Sequence, residues 1–227
     1  MTTGPEPDRD RLAETISAQT RRLRPPLTPE IEIHGATELA PIWTATEAAL
    51  AQRLPGAPFW AFAWPGGQAL ARWILDRPES VRGRAVLAVA CGAGVEAIAA
   101  ALAGAARVVA NDLDPAALVA AEMNARLNGV TLTLDPKDHA APGAALPDAE
   151  VLLLGDGLYE AEPARRLLEM LARARRRGAE VLIGDPDRGR LPAAGLEPLA
   201  SWRVPVFEDV EDAPERRATV YRLGAAG

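Results

Sequence analysis

The stretch Val86-Leu87-Ala88-Val89-Ala90-Cys91-Gly92-Ala93-Gly94-Val95-Glu96-Ala97 decides the fold. Its apolar run, Ala85 to Ala90, has no polar alternation and reads as a strand covered on both faces. A glycine turn follows, then an alanine-rich helix to Leu102. Glycines at 92 and 94 permit positive φ and let the backbone come close to a ligand. The first turn of the helix leaves N–H groups free for a polar partner.

Outward from that turn the same unit recurs. Arg107–Ala110 is a second strand, and Pro115 opens a helix to about Asn128, proline being favoured at the first helical position. Thr131–Leu134 and Val151–Leu154 are further strands. A helix from about Pro163 to Arg177 leads to a fifth strand, Val181–Ile183. Strand and helix in alternation predict a doubly wound, mostly parallel α/β sheet with helices on both faces. The tail offers two strands, Trp202–Phe207 and Thr219–Leu223, with no helix between them. A hairpin there puts one antiparallel strand into a seven-stranded sheet.

Upstream, Pro58-Phe59-Trp60-Ala61-Phe62-Ala63-Trp64-Pro65-Gly66-Gly67-Gln68 gathers four of the ten aromatic residues. It leads into a helix, Ala69–Leu75, stopped by Pro78. Leu39–Leu54 reads as a helix with Trp43 on its apolar side, and Ile31–Ile33 as a short strand. Leu12, Ile16 and Leu23 sit at helical spacing between Asp10 and Arg24, where Pro25 and Pro26 end the segment. Residues 1–10 read as disordered. Residues 1–57 are therefore an N-terminal, partly helical extension packing on the core, and 58–227 the ligand-binding domain.

The 227 residues are 48% apolar and 25% charged, a globular balance. A net charge of −6 argues against a nucleic-acid partner, since phosphate neutralisation needs a basic face. The single cysteine, Cys91, permits no disulfide within the chain and fits a reducing compartment. No apolar run reaches the length of a membrane span, and the start MTTGPEPDRDR lacks the apolar core of a secretory signal. The expected setting is the cytoplasm. No Cys/His cluster points to a metal, and no Gly-x-Ser-x-Gly elbow to a hydrolase. His139 and His34 read as loop or surface residues.

Asp112 ends the second strand, twenty positions after Gly92. A carboxylate there accepts hydrogen bonds from both hydroxyls of a ribose. As a helix cap Asp114 fits better, because it directly precedes Pro115. Asp138, in a polar loop after the third strand, is either an adenine contact or a solvated acid. Gly92-x-Gly94-x-x-Ala97 also satisfies the dinucleotide fingerprint, so nicotinamide and adenosylmethionine both remain readings. Three features favour adenosylmethionine: Glu96 in the first helical turn would repel a pyrophosphate, two strands without a helix close the chain, and Gly155-Asp156-Gly157-Leu158-Tyr159 follows the fourth strand.

Together the segments PFWAFAWPGGQALARWILD (58–76), VLAVACGAG (86–94), VVANDLDPAAL (108–118), GDGLYEAEPARRLL (155–168) and VLIGDPDRGRLP (181–192) resemble the lysine methyltransferases of the electron transfer flavoprotein β subunit, in their bacterial members. The resemblance runs from about residue 12 to 224. Trp-Pro-Gly-Gly-Gln and Asp-x-x-Tyr are its specific parts. It implies a class I methyltransferase fold, S-adenosylmethionine as donor, and a lysine ε-amine of a protein as acceptor. It places the donor against Trp64, Ala90, Cys91, Gly92, Gly94, Asp112, Leu113, Asp138 and Gly155. In one respect the chain departs from the pattern. The family usually has an acid where Ala88 stands, and its loss removes a charge-assisted bond of about 1.5–3 kcal/mol unless Glu96 or another acid substitutes. Ala90 in place of a glycine is a milder change.

A methyl acceptor lysine must be neutral, and its ordinary pKa is about 10.4. Asp156 and Tyr159 lie just past the fourth strand, at the sheet edge where such folds bind ligands. Asp156 is assigned to orient the amine and Tyr159 to lie beside it; a capping acid and a core aromatic are the competing readings. Trp60 and Trp64 wall the channel or belong to the core. Asp185, Pro186 and Arg188 line the substrate side or form a polar turn. Arg165, Arg166, Arg173 and Arg175–Arg177 read as a solvated basic face. Other acceptors, such as a ribosomal protein or a small amine, and a nucleoside-binding scaffold with little turnover are the remaining alternatives.

Overall fold

The computed structural model describes residues 9–36, 41–42, 44–45, 58–192, 194–206 and 214–224. Its helices are α1 (Arg9–Gln19), α2 (Pro65–Asp76), α3 (Val95–Leu102), α4 (Pro115–Leu127) and α5 (Ala161–Arg176). Its strands are β1 (Arg21–Leu23), β2 (Ile33–Gly35), β3 (Ala85–Val89), β4 (Arg107–Asn111), β5 (Thr133–Asp135), β6 (Val151–Gly155), β7 (Glu180–Asp185), β8 (Leu196–Pro205) and β9 (Glu215–Leu223). Trp43, Phe207 and most of 39–54 lie outside the described residues; 41–42 and 44–45 are helical.

Seven strands form one sheet in the order β5-β4-β3-β6-β7-β9-β8. β3 is parallel to β4 and β6, and the parallel pairing continues outward to β5 and β7. Only β9 runs against its neighbours, antiparallel to both β7 and β8, as the helix-free tail predicts. The strand order reverses at β3, so the carboxyl ends of β3, β4 and β6 border the crevice where such sheets take ligands.

The unbroken apolar strands are buried on both sides because successive residues feed opposite layers. Val86 and Ala88 join the cluster of α2 and α3 with Leu70, Ile74 and Ile98. Leu87 and Val89 join the layer under α5 with Leu154, Met170 and Leu171. A third cluster binds Leu12 and Ile16 of α1 to Trp60 and to Ala116, Ala117 and Ala120 of α4. Asn124 and Asn128 of α4 hold the extension as well. The Asn124 and Asn128 Oδ1 atoms accept the His34 and Glu32 N–H groups at 2.7 and 2.9 Å.

Of the element boundaries that differ from the sequence reading, two have a clear physical reason in the packing. The first helix stops at Gln19, and Arg21–Leu23 pairs antiparallel with Ile33–Gly35 instead of continuing it. Leu23 is thereby laid against the core and over Gly35, where a Cβ would come within 2.5 Å of its Cδ2. The helix expected at Ala69 starts at Pro65. Its N-cap, Trp64, has no side-chain acceptor, and the Asp156 carboxylate supplies one from across the fold, taking the Gly67 N–H at 2.9 Å. Asp114 caps α4 as expected, accepting the Ala116 N–H at 2.8 Å.

Ala90, expected inside the strand, instead turns the chain with φ 50°. A left-handed alanine costs about 1–2 kcal/mol, and glycine gives back roughly 0.4–1 kcal/mol through the unfolded chain. Ala90→Gly is therefore expected to stabilise the protein by about 0.5–1 kcal/mol, raising Tm by roughly 2 °C. A melting curve at or below that of the unchanged protein would count against the strain.

Candidate active site

The nucleoside side is built from the turn after β3 and the end of β4. Gly92 and Gly94 take φ 49° and 79°, and Gly94 is the N-cap of α3. A Cβ on Gly94 would stand 3.1 Å from Ala121 Cβ, so its absence lets the turn rest on α4. The Cys91 N–H donates to the Asn111 carbonyl at 3.0 Å, joining the turn to β4. Burial pushes the Cys91 thiol well above its usual range. Ala90 is exposed at the edge.

Asp112 reaches from the end of β4 toward this turn. Its Oδ2 accepts the Gly92 N–H at 2.9 Å and its Oδ1 the Asp114 N–H at 3.0 Å. Burial raises its pKa, while the amides of Asp114, Gly92 and Leu113 pull it back. Each oxygen keeps a further lone pair for a donor such as a hydroxyl. Beside it Leu113 is 60% exposed, an apolar surface at the crevice mouth.

On the other side of β3, Asp156 follows β6 with φ 55°, a left-handed turn that Asp tolerates better than most residues. One oxygen, Oδ2, is held by the Gly67 N–H; the other, Oδ1, faces Arg188 Nη2 at 3.4 Å. Burial moves its carboxyl up to about 7 against the pull of Arg188. Asp156 thus caps a helix from across the fold, one of the two readings the sequence left open, and turns its second oxygen to Arg188. Asp185, at the end of β7, accepts the Arg188 N–H at 3.0 Å on Oδ1, and its buried Oδ2 has no partner.

An aromatic wall stands next to Asp156. Tyr159 is 47% exposed and its ring lies 5.3 Å from Phe59, which in turn lies 5.6 Å edge-on from Trp64. The Trp64 indole N–H donates to the Phe59 carbonyl at 2.7 Å, and the Arg188 guanidinium sits 5.8 Å over the Trp64 ring. Phe59 was not singled out from the sequence, although it lies in the same aromatic segment.

Four glycines bring these parts together. A Cβ on Gly66 would stand 2.2 Å from the Gly184 carbonyl oxygen, and one on Gly184 would stand 2.1 Å from that of Gly66. One on Gly155 would stand 2.7 Å from Gly67 Cα. The start of α2 therefore lies directly on the ends of β6 and β7. Glu96 is enclosed at this junction, 3% exposed, and its Oε2 lies 3.2 Å from a Cβ built on Gly67.

Several expected residues are placed elsewhere. Trp60 is 2% exposed in the α1–α4 cluster, so it is core and does not wall the substrate side. The Asp138 carboxylate is engaged by Arg166 of α5 and by the Ala140 N–H, which commits it to its own loop. His139 is buried rather than exposed, with Nδ1 2.9 Å from the Ala145 carbonyl and Nε2 2.7 Å from Asp135 Oδ2. Nor is the arginine face of α5 simply solvated: Arg173 donates to the His139 and Ala144 carbonyls and Arg175 to that of Leu223. An apolar cavity of about 210 Å³ lies behind Trp64 between Leu23, Ala36, Phe62 and Val206, and neither Gly92 nor Asp112 lines it. Among the described residues no group of three or more His, Cys, Asp or Glu is arranged to hold a metal. No helix among them is long and apolar enough to cross a membrane.

The crevice is rich in carboxylates, with Asp112 and Asp156 both acting on Glu96 through space. Such a lining suits a nucleoside that carries positive charge and opposes a pyrophosphate. The residues present therefore fit S-adenosylmethionine better than a nicotinamide dinucleotide.

Comparison with known proteins agrees. Residues 70–146 match the family model "Ribosomal protein L11 methyltransferase (PrmA)". The electron transfer flavoprotein beta subunit lysine methyltransferase of Xenopus laevis is 40% identical over 194 residues, covering 83% of this chain and 77% of that protein. The human protein of the same name is 38% identical over 185 residues, covering 75% and 64%. Two solved structures share the fold. A putative RNA methyltransferase from Pyrococcus horikoshii has TM-score 0.51 at 15% identity, covering 69% of this chain and 81% of that one. Magnesium protoporphyrin IX methyltransferase from Synechocystis with bound S-adenosylhomocysteine has TM-score 0.50 at 16% identity, covering 70% and 81%. The nicotinamide reading falls on these relatives: the chain is a methyltransferase with S-adenosylmethionine as its donor, and it belongs to the family of electron transfer flavoprotein β-subunit lysine methyltransferases.

Proposed function

We propose that the protein methylates a lysine ε-amine of the electron transfer flavoprotein β subunit, in the cytoplasm. The observation that carries this reading is the junction of Asp156, Tyr159, Phe59, Trp64 and Arg188 at the mouth of the crevice. S-adenosylmethionine supplies an activated methyl group on a sulfonium; the chain's own residues align and desolvate the acceptor. Trp64, Phe59 and Tyr159 give the lysine stem apolar faces. Burial beside them disfavours the ammonium and favours the neutral amine that carries a lone pair. Asp156 Oδ1, held in place through Oδ2, accepts a hydrogen bond from that amine and points it along the line of displacement. The domain boundary near residue 57 and the donor contacts of Trp64, Ala90, Cys91, Gly92, Gly94, Asp112, Leu113 and Gly155 belong to the same proposal.

The ribosomal family model favours another acceptor only weakly. Its match spans 70–146 and ends before Asp156, so it bears on the donor half of the crevice and not on the acceptor half. Mass spectrometry of the purified β subunit, incubated with enzyme and donor, tests the proposal. A mass gain of one or more methyl groups on lysine is expected. Asp156→Asn, which keeps an acceptor for the Gly67 N–H, is expected to lower turnover at least roughly 100-fold, the scale of a lost orienting interaction, and to leave donor affinity within a few-fold. Unmethylated β subunit with a donor-saturated enzyme would remove the proposed substrate. An unimpaired Asn variant would remove the role of Asp156.

A further inference from the structure

We infer that Glu96 binds the α-ammonium group at the amino-acid end of the donor. This rests on S-adenosylmethionine as donor and not on the identity of the acceptor.

Position is the first argument. Asp112, at the end of β4, takes the ribose side, and Asp156, after β6, takes the acceptor side. Glu96 acts on both through space and lies between them, with Oε1 3.4 Å from a Cβ built on Gly155 and Oε2 3.2 Å from one built on Gly67. A donor stretched from Asp112 toward Asp156 brings its sulfur and amino-acid portion to this place.

Charge is the second. Glu96 is 97% enclosed by the protein, yet the influences on its carboxyl are burial, its own backbone amide and the like charges of Asp156 and Asp112, with no cation among them. The groups around it can be named element by element. The start of α2 offers Gly66 and Gly67 without charge, the turn after β3 offers the protonated thiol of Cys91, β4 offers Asp112, and β6 offers Asp156. Asp185 of β7 and Arg188 face Asp156 beyond it. Ala88, fully buried in β3, supplies no acid. A buried carboxylate is stable when paired with a cation that donates hydrogen bonds to it. The donor has two positive centres, but a sulfonium has no N–H to give, so the ammonium is the partner.

A pH dependence follows. Glu96 is raised from 4.5 to about 8, so between those values the unliganded fold favours the neutral acid. A bound ammonium favours the carboxylate. Binding must then release a proton, and affinity must rise with pH from about 6 to about 8.

The test is calorimetric titration of the whole chain and of Glu96→Gln with three ligands: S-adenosylmethionine, S-adenosylhomocysteine, and 5′-methylthioadenosine, which lacks the amino-acid end. At pH 8 the Gln variant is expected to bind the first two about 10- to 100-fold more weakly and the third unchanged. At pH 6, where the unliganded Glu96 is neutral, the Gln variant is also expected to release about one proton fewer on binding S-adenosylhomocysteine. Without ligand at pH 8 it should melt no lower than the parent, because a buried carboxylate has been removed. Weakening of S-adenosylmethionine alone would assign Glu96 to the sulfonium and overturn the inference. Equal weakening of all three ligands, or a lowered melting temperature with no binding, would mark Glu96 as structural and overturn it too. Unchanged affinity for all three would do the same. Failure of β-subunit methylation leaves these titrations untouched, so the two readings fail separately.

Discussion

Gly184→Ala is expected to lower the melting temperature by roughly 6–12 °C, the equivalent of about 3 kcal/mol at this chain length. The new Cβ would stand 2.1 Å from the Gly66 carbonyl oxygen and 2.8 Å from its carbon, both backbone atoms. No side chain can swing away, so α2 must lift off β7. That movement also withdraws the Gly67 N–H from Asp156 and loosens the wall around Glu96. Gly66→Ala meets the Gly184 carbonyl from the other side and should behave alike. Gly67→Ala is the internal control, because its Cβ would meet only the flexible end of Glu96 at 3.2 Å. Its expected cost is under about 1.5 kcal/mol. Thermal denaturation of the three variants decides the matter; if Gly184→Ala melts like Gly67→Ala, α2 does not rest on the sheet as described.

Asp112→Ala is expected to weaken S-adenosylmethionine binding by roughly 100-fold or more. Charge-assisted hydrogen bonds contribute about 1.5–3 kcal/mol each, and a ribose diol offers two donors. The carboxylate is pre-set for that task by the Gly92 and Asp114 amides, which fix both oxygens without consuming all their lone pairs. Calorimetric titration with S-adenosylmethionine is the measurement. Because Asp112 is uncomfortable when buried without a ligand, the free variant should keep most of its stability. Donor affinity within a few-fold of the parent would show that the sugar is held elsewhere.

Legibility differed between the two halves of the crevice. On the nucleoside side the turn, Asp112 and the Asp114 cap are local features, readable from residues that are neighbours in the chain or one strand apart. The acceptor side is assembled from three distant segments, 59–67, 155–159 and 184–188, and each is ambiguous alone. Trp60 and Trp64 illustrate this. They are four residues apart and chemically alike, yet one is enclosed beneath α1 and α4 while the other stands at the mouth under Arg188. Asp138 was even between adenine and solvent, and a residue of α5 twenty-eight positions away took it instead.

The alternation of apolar runs with helices was sufficient for the doubly wound sheet, and the helix-free tail for its one antiparallel strand. Those patterns are local consequences of burial on two faces and need no knowledge of what lies opposite. What Asp156 is for, and why Gly66, Gly67, Gly155 and Gly184 are glycines, was decided only when α2 settled on β6 and β7. Close backbone approach and a cap donated from across the fold are relations between segments, and no segment carries them by itself.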